Sequence, residues 1–187
     1  MLNYKFNFQK TLQASAVILG DHHGRMEYIR LLKLLYIADR ELLAETGRTL
    51  TGDHAVAMKR GPVLSAVYEL VKNQGAADQV KAWSDAVHRD GYEVVLSGDV
   101  GITRLTKAEA KKLHDVCNRF RDTDSEGLSD LTHEFQEWSD VFDTRNPNSC
   151  YPIRWESALA AQGAADLIEE AENALREQEL ADTAFGG

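Results

Sequence analysis

The residues best equipped for chemistry are six histidines and two cysteines, and their spacing argues against a metal site or a nucleophile. His22 and His23 are neighbours in a glycine-bounded turn, His54 and His88 stand apart, and His114 and His133 fall in different helical segments. Zinc needs several ligands converging tetrahedrally, and neither H-x-x-x-H, H-E-x-x-H nor a Cys/His cluster occurs. Cys117 lies on the apolar stripe of a helix and is expected to be a buried thiol, whereas Cys150 lies in a polar turn. Acyl-transfer chemistry lacks its G-x-S-x-G elbow. Gly20-Asp21-His22-His23-Gly24 lacks the lysine and hydroxyl of a phosphate loop, and Gly98-Asp99-Val100-Gly101 reads as hairpin punctuation. Asp39-Arg40-Glu41 would suit a pair of carboxylates sharing acid/base work, but reads more simply as a solvated helix end. The reading is therefore a chain that does not catalyse and holds no metal or cofactor.

The charge balance narrows the partners. Thirty acidic residues against 21 lysines and arginines give a formal net charge of −9, which opposes binding through a phosphate backbone. The acid is concentrated late, in Glu169, Glu170, Glu172, Glu177, Glu179 and Asp182, the pattern of a solvated helix face. Met1 to Phe8 contains no basic region leading into a long apolar run, and no segment approaches a membrane span. A cytoplasmic protein without membrane contact is expected.

The elements that would position any site are mostly helical. A first helix is expected from about Asn7 to Leu19, with Phe8, Leu12, Ala16 and Leu19 on one side. A second runs from Arg25 to about Thr46, stopped by Gly47, and its centre from Leu31 to Ala38 is apolar almost all the way round, as befits the middle of a core. Ala55–Met58 reads as a short strand or an extended stretch, and Pro62 as the first residue of a helix that continues through Val63, Val67, Tyr68 and Leu70 to Gly75. Residues 80–88 fit no one pattern. Tyr92–Leu96 turns through Ser97-Gly98-Asp99 towards Val100–Ile102 as a small hairpin. Thr106 and Glu109 form a capping box for a helix carrying Leu113, Val116, Cys117 and Phe120 on one face. After Ser125, Leu128, Leu131, Phe135, Trp138 and Phe142 form one amphipathic stripe, broken at Pro147. A last helix from about Gly163 to Leu180 turns Ala164, Ile168, Ala171 and Leu175 inward, and residues 184–187 are expected to fray. The fold class is mainly α (α+β): a compact multi-helix domain around a buried central helix, with a small β hairpin.

Three ordered segments carry a family resemblance. Leu32-Lys33-Leu34-Leu35-Tyr36-Ile37-Ala38 resembles the K-L-L-Y helix that opens the Panacea domain of SocA-like antitoxins. Lys59-Arg60-Gly61-Pro62-Val63, followed by Val67-Tyr68, resembles that family's G-P-V-x-x-x-V-Y segment. Leu128-Ser129-Asp130-Leu131-Thr132-His133-Glu134 with Trp138 is similar to its late L-S-x-L-[ST]-H…W helix. Ile37 and Asp39 stand where the family often has an aromatic and a histidine, and Met58-Lys59-Arg60 replaces a commonly aromatic stretch.

The resemblance implies a Panacea-like domain over residues 1–160, with the acidic helix and tail of 161–187 in the same compact unit. It implies an antitoxin that neutralises a toxin encoded beside it by direct contact, with a role in phage defence. It also admits a proteolytic adaptor that delivers the toxin to a AAA+ protease. A DNA-binding regulator of its own operon is the rival reading, opposed by the net acidity. The motif residues Lys33, Leu34, Leu35, Tyr36, Gly61, Pro62, Val63, Tyr68, His133 and Trp138 read as mainly structural. Tyr4, Phe6, Phe8, Trp83 and Trp155 are candidate partner-binding aromatics, since such residues dominate interfaces, although each also suits a core. The acidic last helix would complement a basic toxin.

Overall fold

In the computed structural model of the protein, residues 1–185 are described, Phe185 by its backbone alone. Among them are nine helices and six short strands, so the fold is mainly α, with the strands forming two three-stranded antiparallel sheets. The Asn7 side chain opens α1 (Phe8–Asp21) by accepting a hydrogen bond from the Lys10 amide at 3.1 Å. The chain then reverses through His23 and Gly24, both at positive φ.

Residues 25–27 were expected as the first turn of the long helix, but they form a strand, β1 (Arg25–Glu27). Only Met26 of the three is buried, the alternation of a strand, and they pair with β5 (Glu93–Leu96), Met26 opposite Val94. The helix proper, α2 (Tyr28–Thr46), then buries every residue from Leu31 to Asp39. Gly47 ends it in the left-handed conformation at φ 67°, donating its N–H to Leu43 O.

The expected solvated end of α2 is instead tied into the core. Asp39 is fully buried, and its carboxylate accepts from the amides of Leu50 at 2.6 Å and Thr51 at 3.0 Å, and from the Thr51 hydroxyl. A second buried carboxylate, Asp53, accepts from the amides of Ala66 and Val67, each at 3.0 Å, and so caps α3 (Ser65–Val71). That helix starts later than Pro62, because Gly61 and Pro62 belong to a strand. β2 (Ala55–Met58) and β3 (Gly61–Leu64) make a hairpin across Lys59 and Arg60, and β6 (Tyr151–Ile153) joins the other side of β2. Pro62 is tolerated because β3 is an edge strand, where a missing N–H need not break a ladder.

The ambiguous stretch resolves into α4 (Ala77–Ala86) and β4 (Val87–Asp90), which hairpins with β5 around Gly91 and Tyr92. The expected pairing of Tyr92–Leu96 with Val100–Ile102 does not form. Asp99 accepts from the Gly101 amide at 2.8 Å and Gly101 takes φ 66°, which turns the backbone out of the extended conformation, and Ile102 is exposed. The capping box on α5 (Lys107–Arg119) is present in both directions, and Cys117 beneath it is buried while Cys150 is exposed.

The long stripe expected through Phe142 breaks into α6 (Ser125–His133) and α7 (Gln136–Ser139), because Phe135 adopts an extended backbone between them. β6 and α8 (Trp155–Ala161) have no counterpart in the sequence reading. α9 (Leu167–Phe185) packs Ala171 against Gly47, with its late acidic residues largely in solvent. Of the end expected to fray, Ala184 still lies in α9, and residues 186–187 lie outside the described residues.

Burial pushes the Asp39 carboxyl up to about 7, against three hydrogen bonds that pull it down. Between the ordinary value of 3.8 and about 7, the folded chain holds a proton that the unfolded chain has lost. Stability therefore falls as pH rises through that window, by up to about 1.4 kcal/mol per unit, and is flat above it. Asp39→Asn can still accept from both amides, and is expected to fold with this slope removed. Urea unfolding of both proteins across the window tests this, and equal slopes would exclude Asp39 as the source.

Candidate interaction site

Lys33, Tyr36 and Arg40 follow one another at steps of three and four along α2, so they share a face. The side chain of Lys33 is buried, and its Nζ donates to Pro62 O at 2.7 Å. A Cβ on Gly61 would lie 2.5 Å from Thr132 Oγ1 and 2.9 Å from Lys33 Nζ, so only glycine fits between the two. Burial holds the Lys33 amine well below its ordinary value, and the nearby Arg60 charge adds to that.

Tyr36 donates to Glu137 Oε1 at 3.0 Å, with its ring stacked between Trp155 at 5.8 Å and Phe135 at 6.3 Å. Arg40 grips the same carboxylate through Nε at 2.6 Å and Nη2 at 3.3 Å, and its guanidinium lies 4.1 Å over the Phe135 ring. Glu137 is fully buried, so removing Arg40 would strand a charge in the core. The extended residue Phe135 redirects the chain so that Glu137 turns inward. Burial and the adjacent Glu137 together push the Tyr36 hydroxyl well above its ordinary value.

The late segment closes over the β2–β3 hairpin. Trp138 Nε1 donates to Met58 O at 3.0 Å, and His133 Nε2 lies 3.2 Å from Lys59 O, bonded through whichever tautomer donates there. The two rings stack at 4.3 Å; Phe142 stacks on Trp138 at 4.7 Å and meets Tyr151 edge-on at 6.1 Å. Burial lowers the His133 imidazole. Leu34, Leu35 and Val63 are core residues, and Tyr68 is half-buried beneath the Lys72 ammonium, 4.8 Å from its ring centre. Lys33, Gly61, Pro62, His133 and Trp138 therefore meet at this one hairpin.

The candidate partner-binding aromatics are not exposed anchors. Trp83 and Trp155 are only 1% and 3% exposed, and Trp155 Nε1 donates to Asp53 O at 3.0 Å. Large aromatic area is better used in this core than on the surface. Phe8 is half-buried against the core. Tyr4 and Phe6 line a groove of about 870 Å³ between residues 3–7, residues 47–54 and α9. Tyr4 donates to Gly47 O at 2.6 Å, and burial pushes its hydroxyl up to about 12. Glu137 and Asp53 carry no signal in the sequence, while Asp39 and Arg40, expected as a solvated helix end, are tied into the core. The signal available for Asp39 was its place at the end of an apolar helical run with no wet face.

The model of the family described as antitoxin SocA-like, Panacea domain, matches residues 31–139, more than half of the 187-residue chain. The chain belongs to this family. The matched span opens on the buried run of α2 and closes at the end of α7, so it contains the hairpin and the α2, α6 and α7 side chains that hold it, and stops short of β6, α8 and α9. No curated protein and no solved structure matches the chain. Among the described residues no group of three His, Cys, Asp or Glu is placed to hold a metal, and no helix is long and apolar enough to cross a membrane.

Within this Panacea domain Lys33 is neutral over pH values at which the unfolded chain carries its charge. The stability it contributes is full above the ordinary value of 10.5 and is lost as pH falls towards the folded value. Wild-type stability is thus expected to rise as pH climbs towards 10.5, by up to about 1.4 kcal/mol per unit. Lys33→Met should lack that rise when both are unfolded in urea, and a rise of equal slope in the variant would exclude Lys33 as its origin.

Proposed function

We propose that this protein is an antitoxin that neutralises a cognate toxin, encoded beside it, by direct protein–protein contact in the cytoplasm and without catalysis. The observation that carries the reading is the family match over residues 31–139. The internal use of the motif side chains supports it. Lys33, Trp138 and His133 are engaged with backbone carbonyls, and Tyr36 and Arg40 with Glu137, which is what a platform needs rather than a reaction centre. Specificity on such a platform falls to the surface residues that vary around it. The net charge of −9 favours a protein partner over a polyanion.

Co-expression with the adjacent open reading frame, followed by pull-down on a tag carried by this chain, tests the proposal. Growth rescued together with a co-purifying partner is the expected outcome. Rescue without a complex would replace direct contact by control of toxin synthesis or turnover, and no rescue would remove the antitoxin role.

A further inference from the structure

The hairpin joining β2 to β3 is held by side chains from three separate helices, α2, α6 and α7. Four consecutive or near-consecutive residues, Met58, Lys59, Gly61 and Pro62, are each fixed from beneath. Trp138 holds the Met58 carbonyl, His133 the Lys59 carbonyl and Lys33 the Pro62 carbonyl. Gly61, at φ 93°, is pressed between Thr132 and Lys33. Burying a lysine with no carboxylate beside it is costly, so a structure that retains one uses it for something apolar packing would not supply. What it supplies here is a donor to the backbone of the hairpin.

The two side chains at the tip point the other way in chemical terms. Lys59 and Arg60 are exposed, and among the described residues neither is in an ion pair. They are adjacent cations on a rigid turn of a protein whose net charge is −9. Beside them runs the half-buried row of His133, Trp138, Phe142 and Tyr151. Arginine, tryptophan and tyrosine on a pre-organised surface are the composition of an interface hot spot.

We propose that the β2–β3 tip, with Lys59 and Arg60 as its charged residues and Trp138 and Tyr151 as its apolar flank, is the surface that binds the toxin, and that it reads an acidic patch there. The inference rests on the antitoxin reading and specifies the partner's chemistry. Unpaired cations call for carboxylates, and the net charge of −9 disfavours the competing phosphate polymer, whose charge extends well beyond the tip. Trp138 acts as a positioning residue by holding the Met58 carbonyl.

The test uses the full chain and the product of the adjacent open reading frame, with affinity measured at low and high salt. Lys59→Glu with Arg60→Glu should still fold, because both side chains are exposed, as the circular dichroism spectrum would check, and should weaken binding about 100-fold or more at low salt. Trp138→Phe keeps the ring stack but loses the donor to Met58 O. It should weaken binding less, keep the salt dependence of the wild type, and speed amide exchange at the tip. Wild-type binding matched by the charge-reversed variant would overturn this surface while leaving the antitoxin reading intact. Absence of wild-type binding would overturn both. Retention of duplex DNA by the wild type but not by the charge-reversed variant would overturn the acidic-protein partner in favour of phosphate.

Discussion

A helical run that sees no water can carry polar side chains only if other segments bring partners to them, and residues 31–39 of α2 carry three. Lys33 is matched by Pro62 O, Tyr36 by Glu137, and Asp39 by the amides of Leu50 and Thr51. Each partner comes from a different stretch of chain. A buried polar group left unmatched costs about 1–3 kcal/mol, and a buried charge costs more, so an arrangement that misses one of these contacts is heavily penalised. The leucines around them supply the drive to bury α2 but are interchangeable in register. The three polar residues make one register acceptable, and with it the placement of the β2–β3 hairpin, the 50–51 loop and α7.

The same constraint separates interior from surface in this family member. The segments inside the matched span converge beneath one hairpin, and their polar atoms are turned towards backbone. Backbone carbonyls are present whatever the side chains at those positions, so a clamp that holds Met58, Lys59 and Pro62 by their carbonyls is indifferent to what Lys59 displays. A platform built in this way can change its outward residues without disturbing its inward ones.

Much of the helical frame was legible because its signals are local. The Thr106/Glu109 box, the Gly47 stop and the apolar run of α2 each depend on neighbours a few residues away. The strands were less legible, since β1 and β6 are three residues long and exist only through partners far along the chain. Pro62 obeyed the steric rule for an edge strand as well as that for a helix start, and only the pairing with Ala57 distinguishes them. The stripe through Phe135 and Trp138 kept helical spacing across a break, because Phe135 between the helices and Trp138 on α7 both pack against the core. The site was half visible. Lys33, Gly61, Pro62, His133 and Trp138 were singled out, yet Asp39 was read as solvated and Glu137 was not noticed. For Asp39 the available clue was a charge at the end of an apolar helical run, whereas Glu137 turns inward only through the extended backbone at Phe135.

The separation in sequence between α2 and its partners also has a consequence during synthesis. Glu137, which accepts from Tyr36, lies 101 residues further on, and Trp155, which stacks on the same ring, is made later still. At about 5–20 residues per second the ribosome takes roughly 5–20 s to cover that distance. Throughout that interval the helix that buries the most residues is complete, while Glu137 and Trp155, which will satisfy and cover Tyr36, have not been made. The segment that organises the finished protein is therefore, in the nascent one, its principal aggregation hazard.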